Sequence, residues 1–133
     1  MSFLASQAMP MTVTHSKGAK RSLHQNALAA KWYAQIAEEV GDSPAAIKAT
    51  CKRTHGLPIM EAERLDWVQE WEPLYGPLGY EPQCKLFECI PMTRLFTTRQ
   101  MAAYMTAVQR EYVQQGVPLV DPEARKYEQE FQA

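Results

Sequence analysis

The chain is 133 residues long with a mass of 15.1 kDa, enough for one domain with one core, and its 46% hydrophobic and 22% charged residues are the balance of a globular fold. Fourteen Lys/Arg against fifteen Asp/Glu give a net charge of −1, which excludes a polycation that coats nucleic acid by bulk charge alone. No apolar run approaches the ~18 residues of a membrane span, the first ten residues lack the basic-then-apolar layout of a secretory signal, and three cysteines are too few for a disulfide framework, so a reducing cytoplasm is expected.

Residues 1–10 are small, apolar and unpatterned, and read as a loose lead into one domain spanning 1–133. Met11 to Ser16 alternates apolar and polar side chains around β-branched Thr12, Val13 and Thr14, which predicts a short strand. Gly18 then marks a turn. Ser22 and Gln25 have the spacing of a capping box, and Leu28, Trp32, Ile36 and Val40 make an apolar helical stripe that stops at Gly41. A second helix is capped by Ser43, opens with Pro44 and runs through Ile47 and Cys51 to Gly56. After a break at Leu57-Pro58-Ile59, an acidic helix is predicted over Glu61 to Trp71. Pro73, Gly76, Pro77, Gly79 and Pro82 predict a long rigid loop, and Lys85 to Ile90 has the composition of a strand. Thr97 and Gln100 form a second capping box ahead of the stripe Met101, Tyr104, Met105, Val108 and Tyr112, which Gly116 and Pro118 end. Asp121-Pro122 opens a last short helix. The expected fold class is therefore α+β: a mostly helical small domain with a short β-hairpin or two-stranded sheet.

The near-neutral total hides a split. Residues 1–60 carry seven Lys/Arg against three Asp/Glu (+4), and residues 61–133 carry seven against twelve (−5). Such asymmetry suits a polyanion-facing side or an oligomer that sorts its charges. The basic candidates for a nucleic-acid surface are Lys17, Lys20 and Arg21 ahead of the first helix, Gln25 as a polar donor, Lys31 along it, and Lys48, Lys52 and Arg53 on the next. They combine phosphate neutralisation with a helix N-terminus and nearby aromatics, Trp32 and Tyr33. The competing reading makes Trp32 a core residue and the lysines ordinary surface.

Cys51, His55, Cys84 and Cys89 are four ligand types that could hold zinc, and a zinc-dependent nuclease would follow from them. Their spacing is not that of a zinc knuckle, and the three cysteines read first as small buried apolar groups in a reducing cytoplasm. The carboxylates between Glu61 and Glu72 read as the solvated face of an amphipathic helix. There is no Gly-x-Ser-x-Gly elbow, no His-Glu-x-x-His and no phosphate-cradling Gly-rich loop, so the spacing supports no enzyme and no cofactor.

The run Arg21-Ser22-Leu23-His24-Gln25-Asn26, preceded by a β-like segment and followed by a Trp-bearing helix, resembles the Arg-Ser-Leu-x-Gln-Asn signature of the NinB/Orf family of phage recombination proteins. Pro91-Met92-Thr93-Arg94, the Met101 helix, Gly116-Val117 and then Asp121 with Glu123-Ala124-Arg125 follow in matching order, so the resemblance covers roughly residues 11–60 and 85–127. The acidic, Pro/Gly-rich residues 61–84 have no counterpart in it. The resemblance implies a non-enzymatic recombination accessory protein of the bacterial host cytoplasm. It implies a homodimer that binds single-stranded DNA and the host single-strand-binding protein and assists recombinase loading. Arg21, Ser22, Gln25 and Asn26 match the signature, although capping accounts for Ser22 and Gln25 without a ligand. The alternative is a phage protein-interaction adaptor that docks through the acidic helix and the Pro/Gly loop.

Overall fold

The computed structural model describes residues 12–122, with side chains described from Leu23 onward. Among the described residues, six α-helices carry the fold: α1 Thr12–Val40, α2 Pro44–Cys51, α3 Leu57–Glu63, α4 Leu65–Tyr75, α5 Tyr80–Leu86 and α6 Thr98–Gln114. A π turn over Lys52–Gly56 joins α2 to α3, and a 3-10 turn over Thr93–Leu95 precedes α6.

No strand occurs among the described residues, so the α+β expectation is corrected to an all-helical one. Thr12 to Ser16 is the opening of α1, a helix of 29 residues, rather than a strand. β-Branched residues lower helix propensity by only a few tenths of a kcal/mol each, roughly, too little to stop a helix that the alanine-rich stretch after Asn26 propagates. Gly18 therefore lies inside α1, and Ser22 is ten residues past its start instead of at an N-cap. Lys85 to Ile90 is the end of α5 and the turn after it. Its apolar pairs, Leu86-Phe87 and Cys89-Ile90, recur at helical spacing and do not alternate as a strand on one buried face does. The segment read as a rigid loop is largely helical too. Pro82 sits in the first turn of α5, where its missing N–H would have had no helical acceptor, whereas Pro73 lies inside α4 in its last turn and costs that helix one backbone bond. Most of the last short helix predicted from Asp121 lies outside the described residues.

Elsewhere the capping chemistry reads through to the structure. Ser43 is extended, and its Oγ accepts from Ala46 N at 3.1 Å, with Pro44 in the first turn of α2. Thr97 Oγ1 accepts from Gln100 N at 3.1 Å while Gln100 Oε1 accepts from Thr97 N at 3.0 Å, a reciprocal capping box on α6. Gly41 and Gly116 close α1 and α6 at φ of 78° and 96°, left-handed values that a Cβ disfavours. The π turn meets the proline break at Leu57-Pro58: the chain widens for one turn and resumes as α3 instead of stopping.

Two apolar clusters form the interior. The first joins α1, α2 and α6 through Leu28, Trp32, Ile36, Ile47, Tyr104 and Val108, with Val117 and Leu119 folding back over it. The second gathers Leu57, Met60, Trp67, Tyr75, Phe87 and Met92 from α3, α4, α5 and the following turn. Buried indole N–H groups are satisfied by loop carbonyls: Trp32 Nε1 donates to Val120 O at 3.1 Å and Trp67 Nε1 to Pro91 O at 2.8 Å. Phe96 packs against both clusters. Polar ties run alongside it, from Gln100 Nε2 to Glu63 Oε1 at 2.9 Å and from Arg64 Nη1 to Leu95 O at 2.8 Å. The 93–95 turn is thereby held between the two clusters. That placement builds the site below.

Candidate functional site

A cleft of about 330 Å³ opens between α1, α2, the 93–95 turn and the first turns of α6. Tyr33, Met101 and small alanines of α1 and α2 give it an apolar floor, and Asn26, Lys48, Thr93 and Arg94 supply its polar lining. No acidic side chain lines it, and among the described residues neither Lys48 nor Arg94 makes an ion pair. Pro44 and Ala45 also line it, so the positive end of the α2 dipole adds to the same field.

Lys52 stands four residues after Lys48, one turn further along the same face, and it is only 5% exposed. Its Nζ donates to Ile90 O at 2.6 Å, which ties the π turn to the segment leading into Met92, Thr93 and Arg94. Burial pushes the Lys52 ammonium down to about 8, and the charges of Lys48 and Arg94 push the same way. Three cations thus converge where α2 meets the 93–95 turn. Two face outward and the third is sealed behind them.

The floor of the cleft is rigid for a different reason. Tyr33 on α1 and Tyr104 on α6 share a hydroxyl–hydroxyl hydrogen bond of 2.7 Å in the core. Burial raises both phenols above the ordinary range; the shared hydrogen bond adds to the rise at Tyr104 and partly offsets it at Tyr33. Cys51 is buried beside them. Loss of hydration pushes its thiol up to about 12, which makes it an inert core residue.

The basic residues named from the sequence do not form one continuous face. Lys48 lines the cleft, whereas Lys52 is buried and bonded to a backbone carbonyl. Arg53 turns toward α5, where its Nε donates to Gln83 Oε1 at 2.7 Å and its guanidinium lies 5.0 Å from the centre of the Tyr80 ring. Gln25 serves as an anchor, its Nε2 donating to Thr98 O at 3.1 Å at the start of α6. Lys31 is exposed, but five residues at about 100° each place it roughly 140° around α1 from Asn26. Lys17, Lys20 and Arg21 lie outside the residues whose side chains are described.

Arg94 and Thr93 line the cleft but do not stand out in the sequence as site candidates. Both fall in a three-residue turn that carries no periodicity to place it beside α2. The only sequence cue was Pro91 ahead of a short polar run before the Thr97 cap.

The four possible zinc ligands are dispersed. Cys51 is buried, Cys84 half-buried and Cys89 exposed, while His55 makes a very short contact with the Glu111 carboxylate of α6. Among the described residues no group of three or more His, Cys, Asp or Glu could hold a metal ion, and no helix is long and apolar enough to cross a membrane. No protein-family model, curated protein or solved structure matches the chain.

Proposed function

We propose that the chain is a non-catalytic nucleic-acid-binding protein, a recombination accessory factor of the NinB/Orf kind, which its hexapeptide resembles. On this reading it acts as a homodimer in the bacterial host cytoplasm, holds single-stranded DNA and cooperates with the host single-strand-binding protein in recombinase loading. The observation that carries it is the cleft. Lys48 and Arg94 face an apolar floor with no carboxylate to neutralise them, which suits phosphate at the rim and a base against the floor.

The test is binding of a fluorescent oligothymidylate across about 50–200 mM salt. Affinity for a single strand falls with salt at a log–log slope of roughly 0.7 for each phosphate neutralised. Lys48→Glu and Arg94→Glu should each weaken binding and reduce that slope, and the double variant should lower it by about 1.4, or two such increments. Arg110→Glu, on the outer side of α6 beside Val113 and Pro118, should change it much less. Salt-independent binding, or no binding at low salt, refutes the proposal.

The protein-adaptor reading also has an observation in its favour. Leu74, Leu78 and Tyr80 are exposed at the α4–α5 junction, in a segment that also carries Glu70, Glu72 and Glu81. Partners retained by the immobilised protein after nuclease digestion would favour that reading, and their loss would favour the nucleic-acid one.

A further inference from the structure

The cleft has features that a surface for tracking a DNA backbone does not need. A phosphodiester in mid-strand carries one negative charge, and a protein holding a tract of them spreads its cations along a groove. Here the cations are concentrated. Lys48 and Arg94 border one pocket, the buried Lys52 ammonium stands behind them, and the first turn of α2 presents its positive end at the same place. Among the residues whose side chains are described, Lys31 and Arg53, which could extend a track, point elsewhere. The volume is equally local: about 330 Å³ lies at the small end of ligand pockets, room for one nucleotide and not for a run of them.

We infer that this cleft is a phosphomonoester pocket that takes a single nucleotide by its terminal phosphate, the phosphate between Lys48 and Arg94 and the base over the apolar floor. A terminal phosphate carries about −1.5 to −2 charges at neutral pH and three strong acceptor oxygens, which matches two adjacent exposed cations better than a diester does. Arg94 offers a planar fork for two of those oxygens, and Lys48 offers a mobile point charge for the third. Thr93 adds a hydroxyl at the same rim, and Asn26, across the floor on α1, offers an amide to a base edge. Tyr33 is held in place by Tyr104, so the floor exists before the ligand arrives. Because Lys52 is bonded to Ile90 O, it acts through its charge and by positioning the 93–95 turn, without touching the ligand.

The inference rests on the proposed function and narrows it to the 5′-phosphorylated end of a strand or the equivalent free nucleotide. Calorimetric titration with thymidine 5′-monophosphate, thymidine and inorganic phosphate, and with one short oligothymidylate prepared with and without its 5′-phosphate, tests it. The phosphorylated oligonucleotide should bind about tenfold more tightly than its hydroxyl twin or better. The monophosphate should bind where thymidine does not, and Lys48→Ala or Arg94→Ala should abolish both differences. Both side chains are exposed, so these variants remain folded, which circular dichroism checks. Equal affinity for the two oligonucleotides overturns the inference, as does inorganic phosphate binding as tightly as the nucleotide. Circular single-stranded DNA separates the two levels of the argument. If it binds as well as the phosphorylated oligonucleotide, the end-specific pocket is refuted while single-strand binding stands. If it does not bind while the monophosphate does, the pocket stands and the tract-binding reading falls.

Discussion

The Tyr33–Tyr104 contact beneath the cleft admits a double-variant test. Tyr104 is fully buried and Tyr33 is 6% exposed, and each hydroxyl has the other as its hydrogen-bond partner at 2.7 Å. Tyr104→Phe removes one hydroxyl and strands the other in the core, out of reach of water. Stranding a buried polar group costs about 1–3 kcal/mol, and Tyr33→Phe creates the same fault from the opposite side. The double variant strands nothing, because two rings of nearly unchanged shape face each other with no polar group between them. Its loss should fall well below the sum of the single losses, with a coupling energy of about 1–2 kcal/mol. Urea unfolding followed by helical circular dichroism reads all four proteins, and at roughly 3–6 °C per kcal/mol for a chain of this size thermal melts should rank them identically. Single losses that add to within about 0.5 kcal/mol would show that the two hydroxyls are not energetically joined, and the case for a preformed cleft floor would go with them.

Two further outcomes follow from the packing and the buried acids. A Cβ at Gly56 would collide with Met92 Sδ, so Gly56→Ala should cost about 1–3 kcal/mol by urea melt. Gly79→Ala, where an added Cβ meets nothing, should stay within about 0.5 kcal/mol of wild type, and equal losses would refute the packing argument. Burial raises the phenols of Tyr33, Tyr104 and Tyr112 and pushes the Cys51 thiol up to about 12, so the folded chain keeps protons that the unfolded chain releases above about pH 9–10. Their stabilisation is complete below that range and is lost progressively as pH climbs from it toward the raised values of the folded groups, about 12 for the Cys51 thiol. Lys52 works the other way: its burial costs the fold while it is charged, and that cost is relieved as pH rises from about 8, where the folded group loses its proton, to roughly 10.4, where the unfolded one does, which delays the net loss. Phenolate absorbance should therefore rise together with cooperative loss of helix in strong base. Ionisation of every tyrosine near pH 10 with the helical signal intact would contradict this.

The helix termini were readable because their signals are local. Ser43 with Pro44, Thr97 with Gln100, and Gly41 and Gly116 act through atoms a few residues apart, and the Met101-to-Tyr112 stripe needs only its own period. The strands were misread where a local preference was opposed by its surroundings. Thr12-Val13-Thr14 is carried along by the helix that follows it, and Leu86-Phe87 has the residue types of a strand but the spacing of a helix. At the site, Lys48 was visible as a cation, but its partner Arg94 is 46 positions away in a turn too short to have a pattern. Lys52 misled for a physical reason. A lysine is expected in water, and nothing in its neighbours announces that a carbonyl from the segment after α5 will receive its ammonium.

The seat of Lys52 bears on how loss-of-function data for this chain should be interpreted. Truncating it would free Ile90 O and slacken the short turn that presents Arg94, so ligand affinity would drop although no atom in touch with the ligand had been deleted. A scan scored by affinity alone would rank Lys52 beside Lys48 and mistake a strut for a finger. Ionic-strength dependence tells them apart: removing a finger flattens the response by a full phosphate's increment, whereas removing the strut, whose charge acts only at a distance, lowers the whole curve and flattens it less.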